Sequence, residues 1–417
     1  MAGMEWYIEE VTDETPEEAE AHAKAHALLQ EQEDEVAAQD NNLTVMPGSG
    51  VKQPGTNEGT GNKSGAACWK STALRNTKAP PSRGGCTLTR VSDSQLIMFG
   101  GADMNQSHFQ DMWVFNTEKQ TWKQAAAKGH GPSPRCGHSC VCIEAPGRGE
   151  ILLVYGGMNA EKCETHNDVY ALDVTDMKWH KVHSSNAPPL NSHTAVLWGN
   201  KMVVHGGATP DGPSSSTYVL DLKGLDLGGG EGAPSTLAPL DGNSAVTGTA
   251  SAPLQWSVLE CSGEAPGSRE MHSACLVGRA DASSVMLVYG GRGEGGQVTG
   301  DLFELSLESL EWRRCSNADA PSCAHACCLM SQSPSGTGTG TSSDMWVYGG
   351  WDGGAGLSNH MIRYQVELDE WADEGVVAGQ AGRFGHVCCA AGNGFYCYGG
   401  ISLEDDTGVM TWLECQE

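Results

Sequence analysis

Residues 135–179 read RCGHSCVCIEAPGRGEILLVYGGMNAEKCETHNDVYALDVTDMKW. His138 follows Arg135 by three positions, an apolar run ends in Tyr155-Gly156-Gly157, Asn167-Asp168-Val169-Tyr170 comes next, and Trp179 closes the segment. The same pattern recurs down the chain. Apolar runs end in a glycine pair at 100–101, 156–157, 206–207, 290–291, 349–350 and 399–400, preceded by Phe99, Tyr155, His205, Tyr289, Tyr348 and Tyr398. Self-similarity at about 50 residues sets the architecture before any single motif is weighed.

Each copy reads as four short strands. One opens near a histidine (His138 to Cys142), a second runs into the glycine pair (Ile151 to Tyr155), a third carries aromatic and aliphatic residues (Asp168 to Asp173), and a fourth centres on tryptophan. Short strands, turn residues between them and a blade-length period predict a radial array of four-stranded sheets. The glycine doublet, the aromatic third strand and the fourth-strand tryptophan resemble the kelch repeat from about Ala66 to Glu417, which implies an all-β propeller. Asp176-Met177-Lys178-Trp179 and Tyr155-Gly156-Gly157-Met158-Asn159 are similar to stand-alone kelch propellers of the Rab9-effector type and to small kelch domain-containing proteins.

Tryptophan positions predict how the ring closes. Trp122, Trp179, Trp256, Trp312 and Trp371 follow the third strands of copies one to five, whereas Trp412 falls in the third strand of copy six, with no room for a fourth before Glu417. Trp69 lies 14 residues before Arg83, close to the 13 that separate Trp122 from Arg135 and Trp256 from Arg269. A strand around 67–71 is therefore expected to complete the last of six blades, removing the open edges of the array. Two insertions, within 223–254 and 331–343, fall between strands three and four of copy three and between strands one and two of copy five. Both belong to the same end of a meander, so the opposite end, with the loops after the glycine pairs and the connections between blades, is expected to stay open.

Ahead of the propeller, expected over 66–417, residues 1–40 carry −12 of the net charge of −27. Thr15-Pro16-Glu17-Glu18 has a capping residue, proline at the first helical position and Glu three after the cap, which predicts a helix from about Pro16 to Ala38. Residues 41–65, rich in Gly, Asn, Ser and Thr, read as a flexible linker. The helix reads either as a solubilising tail or as a partner-docking segment with Trp6 and Ile8 as anchors. The acidic balance argues against nucleic acid as a partner, and no apolar run suits membrane insertion. Adjacent cysteines such as Cys327-Cys328 and Cys388-Cys389 sit in strand patterns, where neighbours face opposite ways, so reduced thiols and a cytoplasmic location are expected.

Four connections between blades carry an arginine three residues before the histidine position: Arg83, Arg135, Arg269 and Arg383; copies three and five have Leu190 and Ser322 instead. The kelch resemblance implies that arginines at this position line a bowl receiving an acidic peptide or a terminal carboxylate, a role suited to the guanidinium fork. Arg292 and Trp351, on loops after glycine pairs, are further partner-binding candidates, Trp351 as an aromatic anchor. His138, His193, His272, His325 and His386, with Cys86 at the equivalent position in copy one, recur as a packing or hydrogen-bonding feature would. No catalytic constellation, metal site or cofactor motif is identified. The expected function is a protein or peptide scaffold or adaptor; the alternatives are a carbohydrate- or metal-dependent enzyme and a ubiquitin-ligase substrate receptor.

Overall fold

The computed structural model describes residues 68–416, apart from 75–77, 146, 226, 228–252, 280, 332–342, 355, 393 and 404–406. The expected helix and linker before residue 66 lie outside these residues, as do most of both insertions. The described residues form an all-β propeller of six blades, each built on a four-stranded antiparallel sheet, with no α-helix among them. The first strands of the blades, Thr87–Ser92, Ser139–Ala145, Thr194–Trp198, Ser273–Gly278, Ala326–Ser331 and Phe384–Ala391, touch one another in turn and the last touches the first. The ring is closed by both ends of the propeller. Met410–Gln416 pairs with Gly394–Ile401 on one side and with Cys68–Leu74 on the other, in antiparallel register with Trp69 opposite Cys415.

The hydrophobic core is divided among the blade interfaces. Six clusters of buried side chains among the described residues each draw on two adjacent blades. This explains why second strands read as unbroken apolar runs rather than alternating ones: Ile151, Leu153 and Tyr155 face the third blade while Leu152 and Val154 face the first. The fourth-strand tryptophans join these interfaces. Ring centroids lie 5.3 Å apart for Trp179 and Phe99, 4.4 Å for Trp256 and Tyr155, 5.0 Å for Trp312 and His205, 4.9 Å for Trp371 and Tyr289, and 5.3 Å for Trp122 and Tyr398. Each tryptophan thus packs on the aromatic residue that precedes the glycine pair of the neighbouring blade. Trp69 does the equivalent at the last interface, stacked 5.4 Å from Phe395 and edge-on 5.1 Å from Trp346, in a cluster with Tyr348.

The glycine pairs are required by backbone geometry. Gly156 and Gly157 have φ of 65° and 92°, and a Cβ on Gly156 would lie 2.5 Å from the Leu190 carbonyl oxygen of the next blade. That close approach serves a hydrogen bond from Gly157 N–H to the same carbonyl, repeated at all six interfaces up to Gly400 N–H and Arg83.

The repeated histidines stitch inner strands together. Nε2 of His138, His193, His272 and His325 pairs with a hydroxyl of the preceding blade: Thr87 at 3.1 Å, Ser139 at 2.8 Å, Thr194 at 2.8 Å and Ser273 at 2.7 Å. Burial pushes His138 and His193 down to about 3 and His325 down to about 4, with Arg135 adding to the effect at His138. An unfolded histidine titrates near about 6.5, so the folded state favours the neutral rings. Their contribution to stability is complete above that value and is lost as pH falls toward 3–4. Thermal unfolding followed from pH 8 to pH 4.5 should show a midpoint that declines below about 6.5, before carboxylates near about 4 begin to titrate; a flat profile across that window would contradict the neutral ring.

Candidate functional site at the fifth blade

The end of the propeller that bears the glycine-pair loops is organised by side chains from the connections between blades. Arg135 is fully buried, and its guanidinium donates to Gly156 O at 2.8 Å, to Asp168 Oδ1 at 2.6 Å and Oδ2 at 3.2 Å, and to Ser133. Arg83 repeats this with Gly100 O and both oxygens of Asp111, and lies 3.8 Å over the Phe109 ring. Arg269 repeats it with Gly290 O at 2.9 Å and Asp301 at 2.8 and 3.2 Å. Burial, the largest single influence, would raise the carboxyls of Asp111 and Asp301, but hydrogen bonds from their arginines and from Trp113 and Thr299, together with the arginine charges, hold both below the usual value. Arg383 is buried as well and donates to Gln380, with Thr407 at the aspartate position of its blade.

The expected bowl of arginines is therefore turned into the blades. A ligand carboxylate could reach Arg83, Arg135 or Arg269 only by displacing an aspartate already bound in bidentate fashion. Arg292 is directed to the buried Glu270, with Nε and Nη2 at 3.1 and 2.7 Å from its Oε1. Trp351 is half-buried, and its indole N–H donates to Gly354 O at 2.6 Å within its own loop.

Sequence reading missed the aspartates, although a signal was present. Copies one, two and four have Arg together with Asp111, Asp168 and Asp301; copy three has Leu190 with Ser216, and copy five has Ser322 with His360. In blade three the gap is closed by Leu190, which is fully buried. In blade five it is not. Ser322 Oγ takes over the bond to the glycine carbonyl, reaching Gly349 O at 3.1 Å, but a serine is too short to fill an arginine's volume.

A cleft of about 540 Å³ opens there. Tyr289, Val347, Ile362 and Trp371 contribute apolar surface; Asp319, Asp352, Asp373, Ser358 and His360 contribute polar groups, and no lysine or arginine lines it. His360 Nδ1 and Asp373 Oδ1 are 3.7 Å apart, both well exposed. The aromatic surfaces are held in place: Tyr289 OH donates to Ala320 O, and Trp371 Nε1 donates to Ser316 O at 2.7 Å.

A family model described as the KLHDC2/KLHL20/DRC7 Kelch-repeats domain matches residues 85–250, which include three of the glycine pairs. These are kelch repeats. Among curated proteins, this kelch propeller is 27% identical to human (Homo sapiens) host cell factor 2 over 257 residues, covering 59% of this chain and 28% of that protein. It is 25% identical over 347 residues to host cell factor homolog hcf-1 of Caenorhabditis elegans, covering 73% and 38%. Over 150 residues it is 32% identical to acyl-CoA-binding domain-containing protein 5 of Arabidopsis thaliana, covering 36% and 22%. The chain thus spans well under half the length of each of these relatives. Among the described residues, no helix is long and apolar enough to cross a membrane.

Proposed function

We propose that this kelch propeller is a protein-interaction module, a scaffold or adaptor, and that a partner segment lies across the end formed by the glycine-pair loops and the connections between blades. The observation that carries this reading is the blade-five cleft, a pocket of ordinary ligand-site size that combines aromatic and aliphatic surface with three aspartates and no lysine or arginine. A guanidinium or ammonium fits this chemistry, held by Asp352 and Asp373 and lying against the Tyr289 and Trp371 rings. The partner segment is thus basic at its anchoring residue. The acidic or C-terminal segment expected from the sequence would need the arginines that the blades use internally.

Selection of peptides from a displayed random library against the full chain tests this. Selected sequences should be rich in Arg or Lys. Asp352→Asn with Asp373→Asn should weaken their binding by about tenfold or more, and added salt should weaken it further. Ser322→Arg with His360→Asp recreates the pair found in blade two and fills the cleft, so binding should be lost while the unfolding midpoint holds or rises. Selection of acidic peptides, or unchanged binding to the filled variant, would overturn the proposal.

A further inference from the structure

The interface between blades five and six holds a second chemical feature. His386 and Cys388 alternate along the inner strand and so project on one face, and Cys397 stands directly across from Cys388 on the adjacent strand. The His386 nitrogen and the two sulfurs all lie within 4.8 Å of one another. His386 is 4% and Cys397 1% exposed, while Cys388 remains partly accessible.

Two departures from the repeat coincide at this place. In four other blades the histidine Nε2 meets a Ser or Thr hydroxyl of the preceding blade; here that position is Ala326, and neither ring nitrogen of His386 makes a hydrogen bond of ordinary geometry. Where blade six has Cys397, the other blades have Met98, Val154, Val204, Val288 and Val347. Cys388 completes the set opposite it. A buried imidazole with no hydroxyl partner, facing two thiols, is a donor set for a soft cation.

We propose that His386, Cys388 and Cys397 form a binding site for a thiophilic d10 cation, Zn²⁺ or Cu⁺, that clamps the fifth and sixth blades together. Uptake replaces the two thiol protons: the cation binds both sulfurs as thiolates and two protons leave to solvent. Arg383 lies beside Cys397, and its positive charge offsets that of a bis-thiolate complex. Cys328, on the first strand of blade five, packs in the same interface and interacts electrostatically with both thiols, but lies outside the set of three donor atoms.

The test uses the full chain, reduced with a phosphine, stripped with a chelator and desalted. It is titrated with Zn²⁺ against a chromophoric chelator, with Cu⁺ against bicinchoninate, and with Co²⁺ as a spectroscopic probe. One equivalent per chain should bind, and Co²⁺ should give a thiolate charge-transfer band; the arm with the tighter uptake identifies the cation. Cys388→Ser and Cys397→Ser should abolish uptake, and Cys163→Ser, at an exposed thiol elsewhere, should leave it intact. Ala326→Ser alters no ligand but offers His386 the hydroxyl used in other blades, and should weaken affinity by about tenfold or more. Should a cysteine variant fail to fold, the Ala326→Ser result decides. Failure of the reduced chain to bind either cation, or uptake indifferent to Ala326→Ser and to the folded cysteine variants, would overturn the proposal.

Discussion

Trp69→Ala is expected to destabilise the propeller by about 3–5 kcal/mol, the range for deleting a large buried aromatic side chain. Trp69 is fully buried, is stacked on Phe395 and edge-on to Trp346, and sits on the strand through which the two ends of the propeller pair. Its loss removes the packing that holds this strand on Met410–Gln416 and so weakens the closure of the ring itself. Trp412 supplies the control. It is also a tryptophan of blade six, two strands from Phe384–Ala391, but it is only half-buried and its indole N–H donates to Glu414 at 3.0 Å. Denaturant unfolding should rank Trp69→Ala well above Trp412→Ala, and the first variant should also be cut earlier by protease near residue 70, because an unpaired edge is exposed. Equal costs for the two substitutions would show that closure does not depend on Trp69.

Features tied to backbone geometry or to spacing could be read before any coordinates. The glycine pairs were legible because φ near 65° and 92° with a neighbouring carbonyl 2.5 Å from a notional Cβ leaves little choice of residue. Trp69 was legible because its distance from Arg83 repeats the distances of the other tryptophans. Side-chain direction was not. Periodicity says which positions are equivalent, not which way they point, so Trp179 read as part of its own blade whereas it lies against Phe99 of the preceding one. Arginine on a connecting segment reads as surface because arginine is seldom fully buried, and the partner of Arg135 lies 33 residues away, beyond any local pattern. The blade-five cleft was hidden for the same reason: Ser322 matters only once the arginine it replaces is known to fill a volume.

The buried pairs make the second large prediction. Arg135→Ala removes bonds to two carbonyls, a hydroxyl and a carboxylate, and leaves Asp168 facing a cavity, so a loss of about 3–5 kcal/mol is expected, as for breaking one side of a buried ion pair. If the pair acts as a unit, removing both charges should cost less than removing one. Blade three already displays such a solution, with buried Leu190 and Ser216 at the two positions. Arg135→Leu combined with Asp168→Ser should therefore unfold at higher denaturant than Arg135→Ala alone. Equal or greater loss in the double variant would mean that the hydrogen bonds from Arg135 to Gly156 and Ser133, not its pairing with Asp168, dominate. The same cycle carried out at Arg269 and Asp301 should give the same sign, because that pair has the same partners at the same places in its blade. Agreement between the two blades would establish the pair as a blade-locking element of the repeat, and the blade of Ser322 and His360 as the one of the two arginine-lacking blades that leaves the space open.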